Sequence, residues 1–246
     1  MRFALAFGLS GSVLAMLTIK QAGQATGVWW LLVCVEVYLT ICLWLLAATY
    51  GLREIGVSVE DMFFRRIWAP VIRAILLPYF AFGGITLYIA RWFDREGLLN
   101  PVAPDLHIGR LPFPFEHAKV RAAGIDAVLN LCWEFPRLSG TDREPGIETA
   151  HVPILDGSPP SDQQIREAVQ QVAQWRAEGR CVLIHCAQGH GRTATVTAAM
   201  LLQRGLAQDV EEALAMIRAV RPFAKPSREQ RLALIRYVSG NLSQPC

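Results

Sequence analysis

Hydrophobic positions fall along this chain in two regimes. Up to about residue 92 they form long runs, at 3–19, 28–50 and roughly 70–92; from about residue 98 they come in short bursts broken by polar stretches. A bilayer core of about 30 Å calls for about 20 apolar residues per helix. The run at 28–50 meets that length despite Glu36, and its Trp29, Trp30, Trp44 and Tyr50 suit an aromatic belt or helix packing. Glu36 is expected to face another helix or to snorkel rather than to act as an intramembrane functional acid. The run at 3–19, between Arg2 and Lys20, is either a short span or a signal peptide with Ala-Gly-Gln-Ala at 22–25 as a weak cleavage site. The third run carries Arg73, Pro78, Gly83 and Gly84, so it either spans or forms a broken, re-entrant helix.

Orientation follows from that third run. Arg53, Arg65, Arg66 and Arg73 cluster before it and favour the cytoplasmic side. Three full spans would carry the rest of the chain outside, whereas a run that only dips into the bilayer leaves it inside. Arg91 and Arg95 also draw the C-terminal side inward. A multi-pass integral membrane protein with its C-terminal domain in the cytoplasm is the expectation.

From about residue 98 the periodicities are those of a soluble α/β domain. A short strand and turn is read at 106–112, a helix at 114–123, a buried strand at 126–131 and a Pro/Gly/charged loop at 136–148. Residues 149–155 alternate like a strand. Ser161 and Gln164 form a capping box for a helix that Gly179 stops. Residues 181–185 read as the next strand, followed by helices near 192–204, 208–220 and 227–239. Strands alternating with helices predict a mostly parallel central sheet flanked by helices, preceded by an N-terminal transmembrane helical region. The expected domains are 1–97, with two or three apolar helices, and 98–246.

Composition narrows the chemistry. Of 246 residues, 52% are hydrophobic and 18% charged, and the formal net charge is +3. No basic block interleaved with aromatics appears, which excludes a nucleic-acid footprint. The six cysteines, at 34, 42, 132, 181, 186 and 246, form no C-x-x-C pair and no disulfide framework. Cys132 and Cys181 read as core residues, with packing favoured over a resolving role for Cys181 beside the loop at 186.

The stretch VLIHCAQGHGRTATVTAAM, residues 182–200, concentrates the chemistry. A strand ends at His185-Cys186, a glycine-containing loop follows, and Arg192-Thr193 opens a helix. Such a turn aims backbone N–H groups at one point, and the helix dipole adds to the nest. Gly189 and Gly191 let the backbone curl close to a ligand. The planar fork of Arg192 suits two oxygens of a phosphate. Donors, dipole and arginine together favour the thiolate of Cys186. A zinc site from His185, Cys186 and His190 would sacrifice this anion geometry and lacks a fourth ligand nearby.

The spacing H-C-x-x-G-x-x-R-[ST], here His185, Cys186, Gly189, Arg192 and Thr193, resembles the signature of the cysteine-dependent dual-specificity and protein tyrosine phosphatases. The resemblance covers the chain from about Leu98 onward. It implies the cysteine-phosphatase fold and a two-step reaction without cofactor or metal. Cys186 would be the nucleophile, and Arg192 with the loop at Ala187, Gln188, Gly189, His190 and Gly191 would bind the phosphate. Thr193 would hydrogen-bond the Cys186 sulfur, and His185 would orient the loop through a backbone contact. The general acid would be Asp156, in the Gly/Pro/Ser loop of PILDGSPPS. Asp156 read as a mere Asp-Gly turn residue is the plainer alternative, and Asp162 is the nearest rival acid.

Weaker features remain open. Gln230 resembles a water-placing glutamine but is also the third residue after Ser227, and the helix cap is the favoured reading. Glu134 resembles a supporting acid. His190 is either a substrate contact or an exposed loop residue. Ala187, Gln188 and His190 stand where phosphoinositide-specific relatives carry lysines, which disfavours a highly charged inositol headgroup. The expected substrate is a phosphorylated protein or a lipid phosphate such as phosphatidylglycerophosphate. A silent phosphate-binding module and a sulfur-transfer or arsenate-reducing enzyme are the alternatives from other classes. No sequence feature indicates an oligomeric state.

Overall fold

The unbroken apolar runs become long helices. The computed structural model describes residues 2–57, 59, 69–93, 96–136 and 139–241. The chain forms two compact units, Met1–Tyr88 and Ile89–Cys246. In the first, α1 (Arg2–Ala22) and α2 (Trp29–Glu54) are long and apolar enough to cross a membrane by length and composition. They run antiparallel: Gly8 approaches Ala47, and Gly11 lies against Trp44 and Leu43. Small residues at such crossings let helix backbones come close. Phe3 and Phe7 pack beside Tyr50, with ring centroids 5.2 and 5.7 Å away. Glu36 is half-buried, as a residue facing another helix would be, and its Oε2 has no hydrogen-bond partner among the described residues.

The third apolar run divides at Leu76 into α3 (Ala69–Ile75) and α4 (Leu77–Phe93). Pro78 lacks an N–H, so the carbonyl of Ala74 loses its helical partner. The Tyr38 hydroxyl donates to that carbonyl at 3.0 Å instead. Gly83 and Gly84, expected to help break the run, lie inside continuous helix. Arg65, Arg66 and Arg95, used above for orientation, and Cys246 lie outside the described residues.

In the second unit a five-stranded sheet has the order β1-β2-β5-β3-β4. Strand β1 (Leu99–Ala103) pairs antiparallel with β2 (Leu106–Arg110). The neighbours β2, β5 (Val182–Cys186), β3 (Ala127–Cys132) and β4 (Glu148–Ile154) are all parallel. The sheet is therefore mixed, mostly parallel, with one antiparallel edge strand that the sequence pattern did not reveal. Pro101 hides β1 from a pattern reading, yet an edge strand tolerates proline. Every residue of β3 and β5 is buried, as expected for central parallel strands.

Helices cover the sheet: α5 (His117–Ala122), α6 (Asp162–Ala177), α7 (Gly191–Gln203), α8 (Val210–Val220) and α9 (Arg228–Asn241). The helix expected at 114–123 begins as a 3-10 turn, Pro114–Glu116. The Ser161–Gln164 capping box forms in both directions, with Gln164 N to Ser161 Oγ at 3.1 Å and Ser161 N to Gln164 Oε1 at 2.8 Å. Helix α7 is buried from Arg192 to Leu202, so the segment after the cysteine loop is the central helix of the unit.

The second unit begins upstream of residue 98, where composition alone drew the boundary. Arg91 is bound to Glu116 and to the carbonyl of Leu111, and its guanidinium lies 3.6 Å from the Phe113 ring centroid. The C-terminal ends of the parallel strands meet at one edge, where Arg110 pairs in register with Cys186 and Cys132 with Ile154. Crevices at that edge are where open α/β sheets bind ligands.

Candidate active site

Cys186 closes β5 and is 3% exposed. The chain then turns through residues 187–190 into α7. What shapes this loop is the fate of its carbonyls. Ala187 O accepts from Leu111 N at 3.2 Å, Gln188 O from Arg221 Nη2 at 2.7 Å, and Gly189 O from Arg221 Nε at 3.1 Å. With these consecutive carbonyls bonded elsewhere, Gly189 N donates to Cys186 Sγ at 3.2 Å. Gly189 has φ +75°, and a Cβ there would run into the backbone of Gly109. Glycine is needed at that position for both reasons.

Arg192, in the first turn of α7, has a side chain 2% exposed. Its Nη1 donates to Glu134 Oε2 at 2.8 Å and to Ile154 O at 2.9 Å; its Nη2 donates to Glu134 Oε1 at 2.6 Å. Asp156 Oδ1 lies 2.9 Å from the same Nη2. Burial disfavours the charged guanidinium, but the carboxylates of Glu134 and Asp156 outweigh it and hold Arg192 protonated. Glu134 is aimed by the turn after β3, where Asn130 Nδ2 donates to Phe135 O at 2.9 Å and Asn130 Oδ1 accepts from Cys132 N at 2.8 Å.

Asp156 has a side chain 61% exposed and sits in a loop tied down on both sides. Ser158 N donates to Leu155 O at 3.1 Å, and Gln230 Nε2 donates to Ser158 O at 3.2 Å. Gln230 also makes the cap expected of it, accepting from Ser227 N at 2.9 Å. It packs against Gly191, where an added Cβ would lie 2.6 Å from Gln230 Oε1. Asp162, the rival acid, pairs with Arg236 Nε at 3.3 Å on the surface. The structure thus brings Asp156 to Arg192 and gives Asp162 a partner on the surface.

His185 is fully buried, and its Nδ1 lies 3.3 Å from the carbonyl of Cys186. Burial pushes its pKa down to about 3, against the opposing pull of that backbone contact. The imidazole is therefore neutral, with Nδ1 as donor to the backbone. Thr193 is fully buried, and its Oγ1 has no hydrogen-bond partner among the described residues. The bond from Thr193 to the Cys186 sulfur that the resemblance implies is not formed here. His190 Nε2 lies 2.8 Å from Glu96 Oε2, so its ring is held by a carboxylate rather than free in solvent.

Of the other cysteines, Cys132 is fully buried at the end of β3; burial first, then Glu134, pushes its thiol well up. Cys181 lies just before β5, at the opposite end of that strand from Cys186, and its Sγ is 3.5 Å from His107 Nδ1. Five residues of extended strand separate the two sulfurs by roughly 16 Å. Cys181 is not beside the loop and cannot resolve Cys186. Among the described residues no three His, Cys, Asp or Glu side chains group as a metal site would.

Two residues in this construction escape the sequence pattern. Arg221 and Glu96 lie outside the motif, and nothing in the periodicity separates Arg221 from the exposed Arg218 of the same helical stretch. Only a helix-end arginine that is 0% exposed marks it, and that is visible only in the fold.

Known proteins share this architecture. The chain is 34% identical over 128 residues to dual specificity protein phosphatase 12 of Mus musculus, covering 50% of this chain and 36% of the mouse protein. It is 24% identical over 186 residues to the phosphatidylglycerophosphate phosphatase PTPMT1 of Arabidopsis thaliana, covering 74% of this chain and 50% of that one. The chain thus spans half or less of the length of these curated relatives. The crystal structure of Tk-PTP in the active form superposes with a TM-score of 0.52 at 31% identity, covering 58% of this chain and 97% of that one. Residues 101–236, more than half of the chain, match the family described as PTP-SAK, Swiss Army Knife protein, DSP-PTPase phosphatase domain. The chain belongs to that family of cysteine-dependent phosphatase domains.

Proposed function

We propose that the protein is a membrane-anchored phosphatase that hydrolyses phosphate monoesters through a phosphocysteine, of the dual-specificity protein phosphatase type. The observation that carries this reading is the loop itself. Its carbonyls are bonded to Leu111 N and Arg221, its Gly189 N–H points at the Cys186 sulfur, and Arg192, in the first turn of the helix that follows, is paired with Asp156. In the first step the Cys186 thiolate attacks phosphorus, the P–O ester bond breaks, and Asp156 gives its proton to the leaving oxygen. In the second, water attacks the phosphocysteine while Asp156 takes the proton, releasing inorganic phosphate and the thiolate. Arg192 and the amides of residues 187–192 stabilise the equatorial oxygens in both steps.

Cys186→Ser should abolish hydrolysis of an aryl phosphate while retaining phosphate binding. Asp156→Ala should slow turnover by about 10²-fold or more on an alkyl phosphate, and by less on an aryl phosphate with a good leaving group. Equal rates for Asp156→Ala and wild type on the alkyl substrate would refute the acid assignment. Retained turnover in Cys186→Ser would refute the nucleophile. Phosphate binding without turnover in the wild type would point to a silent binding module.

A lipid phosphate is the second reading of the substrate. It is favoured by the likeness to the Arabidopsis phosphatidylglycerophosphate phosphatase, which extends over 74% of this chain, and by the apolar helices α1 and α2. Incubating Cys186→Ser with membrane extract and identifying what stays bound separates phosphoprotein from lipid. Integral, multi-pass insertion with a cytoplasmic catalytic domain completes the proposal. Labelling whole cells with an impermeant thiol reagent tests it, since a cytoplasmic Cys186 stays unmodified until the cells are opened.

A further inference from the structure

We infer that Glu96 is a positioning residue for the phosphate loop, 94 residues before the loop side chain it holds. The inference rests on the phosphatase reading above and adds a residue that the cysteine motif does not contain.

Arg221 anchors the back of the loop. Its side chain is 0% exposed and spans Gln188 O, Gly189 O, Gly97 O and Asn100 Oδ1, at 2.7, 3.1, 3.0 and 2.9 Å. A guanidinium taken wholly out of water is costly unless a carboxylate stands beside it. Glu96 Oε2 lies 3.2 Å from Arg221 Nε, and the Glu96 side chain is itself 6% exposed. The same Oε2 is 2.8 Å from His190 Nε2, and Oε1 accepts from Phe223 N at 2.7 Å. One buried carboxylate therefore joins the arginine that binds the loop carbonyls, the loop's own His190, and the backbone just beyond α8. His190 directly precedes α7, so its restraint carries into the turn that bears Arg192. Removing the negative charge should loosen the amide cup, and a cup pre-formed for equatorial oxygens is what transition-state stabilisation requires.

Glu96 also lies three residues past the end of α4 at Phe93. The chain leaving the third apolar run is thus built into the catalytic loop, and a fragment starting at residue 98 lacks both Glu96 and Gly97.

The test uses the full chain. Glu96→Gln keeps the size and removes the charge. It should lower kcat on an aryl phosphate by about tenfold or more and weaken inhibition by orthovanadate by a similar factor, with KM changing less. Arg221→Lys keeps the charge but cannot span both carbonyls, and should lose vanadate affinity to the same extent. A folded Glu96→Gln with kcat and vanadate affinity within about twofold of wild type would overturn the inference. If both variants fail to fold, His190→Asn decides, because its side chain is 28% exposed; wild-type vanadate affinity there would likewise overturn it. The phosphatase reading fails separately, through a wild-type chain with no Cys186-dependent turnover. Vanadate binding still reports on Glu96 in that case.

Discussion

A guanidinium with 2% exposure stays charged and aimed only beside carboxylates, and Glu134 meets Arg192 fork to fork at 2.6 and 2.8 Å. Two parallel N–H···O bonds fix the plane of the arginine as well as its charge. Glu134→Gln preserves the shape but leaves one arm without an ionic partner. Breaking a buried pair from one side costs about 3 kcal/mol or more. Asp156 stays close to the same nitrogen, so the stability loss read by urea unfolding should be of that order or smaller. The kcat/KM on an aryl phosphate should fall by about tenfold or more, because the plane of Arg192 is freed. Unchanged kinetics would mean that Ile154 O and Asp156 suffice to aim the arginine. In the sequence Glu134 was legible only as a supporting acid, since its partner is 58 residues away and no local spacing links them.

At the scale of elements, the β5–loop–α7 segment was legible because each of its parts is local. A run of β-formers, a glycine that must take φ +75° and a helix of small apolar residues are all encoded within residues 182–200. Gly189→Ala should expose that economy. An L-residue in the left-handed region costs about 1–2 kcal/mol, and the methyl would also meet the backbone of Gly109. The variant should lose more stability than that conformational cost alone, because backbone must shift to admit the methyl, and lose more than about 10²-fold in kcat, since a displaced donor costs that much at an oxyanion site. Near-wild-type turnover in a folded Gly189→Ala would mean that the loop relaxes without losing its amides. Other elements were less legible. Strand β1 escaped because Pro101 breaks the strand signature and because an edge strand owes its existence to its neighbour β2. The division of the third apolar run falls at Leu76 rather than at the glycines, because Pro78 acts on the carbonyl four residues earlier and Tyr38 is there to bind it.

For the molecule as a whole, buried neutral histidines couple folding to pH. His185 has a folded pKa of about 3 against an ordinary value of 6.5. Between those values the unfolded chain binds the proton and the folded chain does not. Stability from this group is complete above the unfolded value and is lost as pH falls below it, at up to about 1.4 kcal/mol per pH unit. His107 and His151, both lowered chiefly by burial, bend the curve in the same direction. Urea unfolding at about pH 7 and about pH 5 should show the lower-pH protein to be less stable, and His185→Asn should flatten the difference. An undiminished difference in the variant would place the proton uptake elsewhere.

Local spacing is enough to give the membrane-length apolar helices, the alternating α/β pattern and the cysteine loop, because each depends on residues within about one element of one another. Which charges stand behind that loop depends instead on long-range packing. Glu134, Glu96 and Arg221 come from segments remote in the chain, and their roles follow from burial. Once the sheet and α7 exclude water, a charge must find its counter-charge wherever the fold has brought one, and no local pattern records that choice.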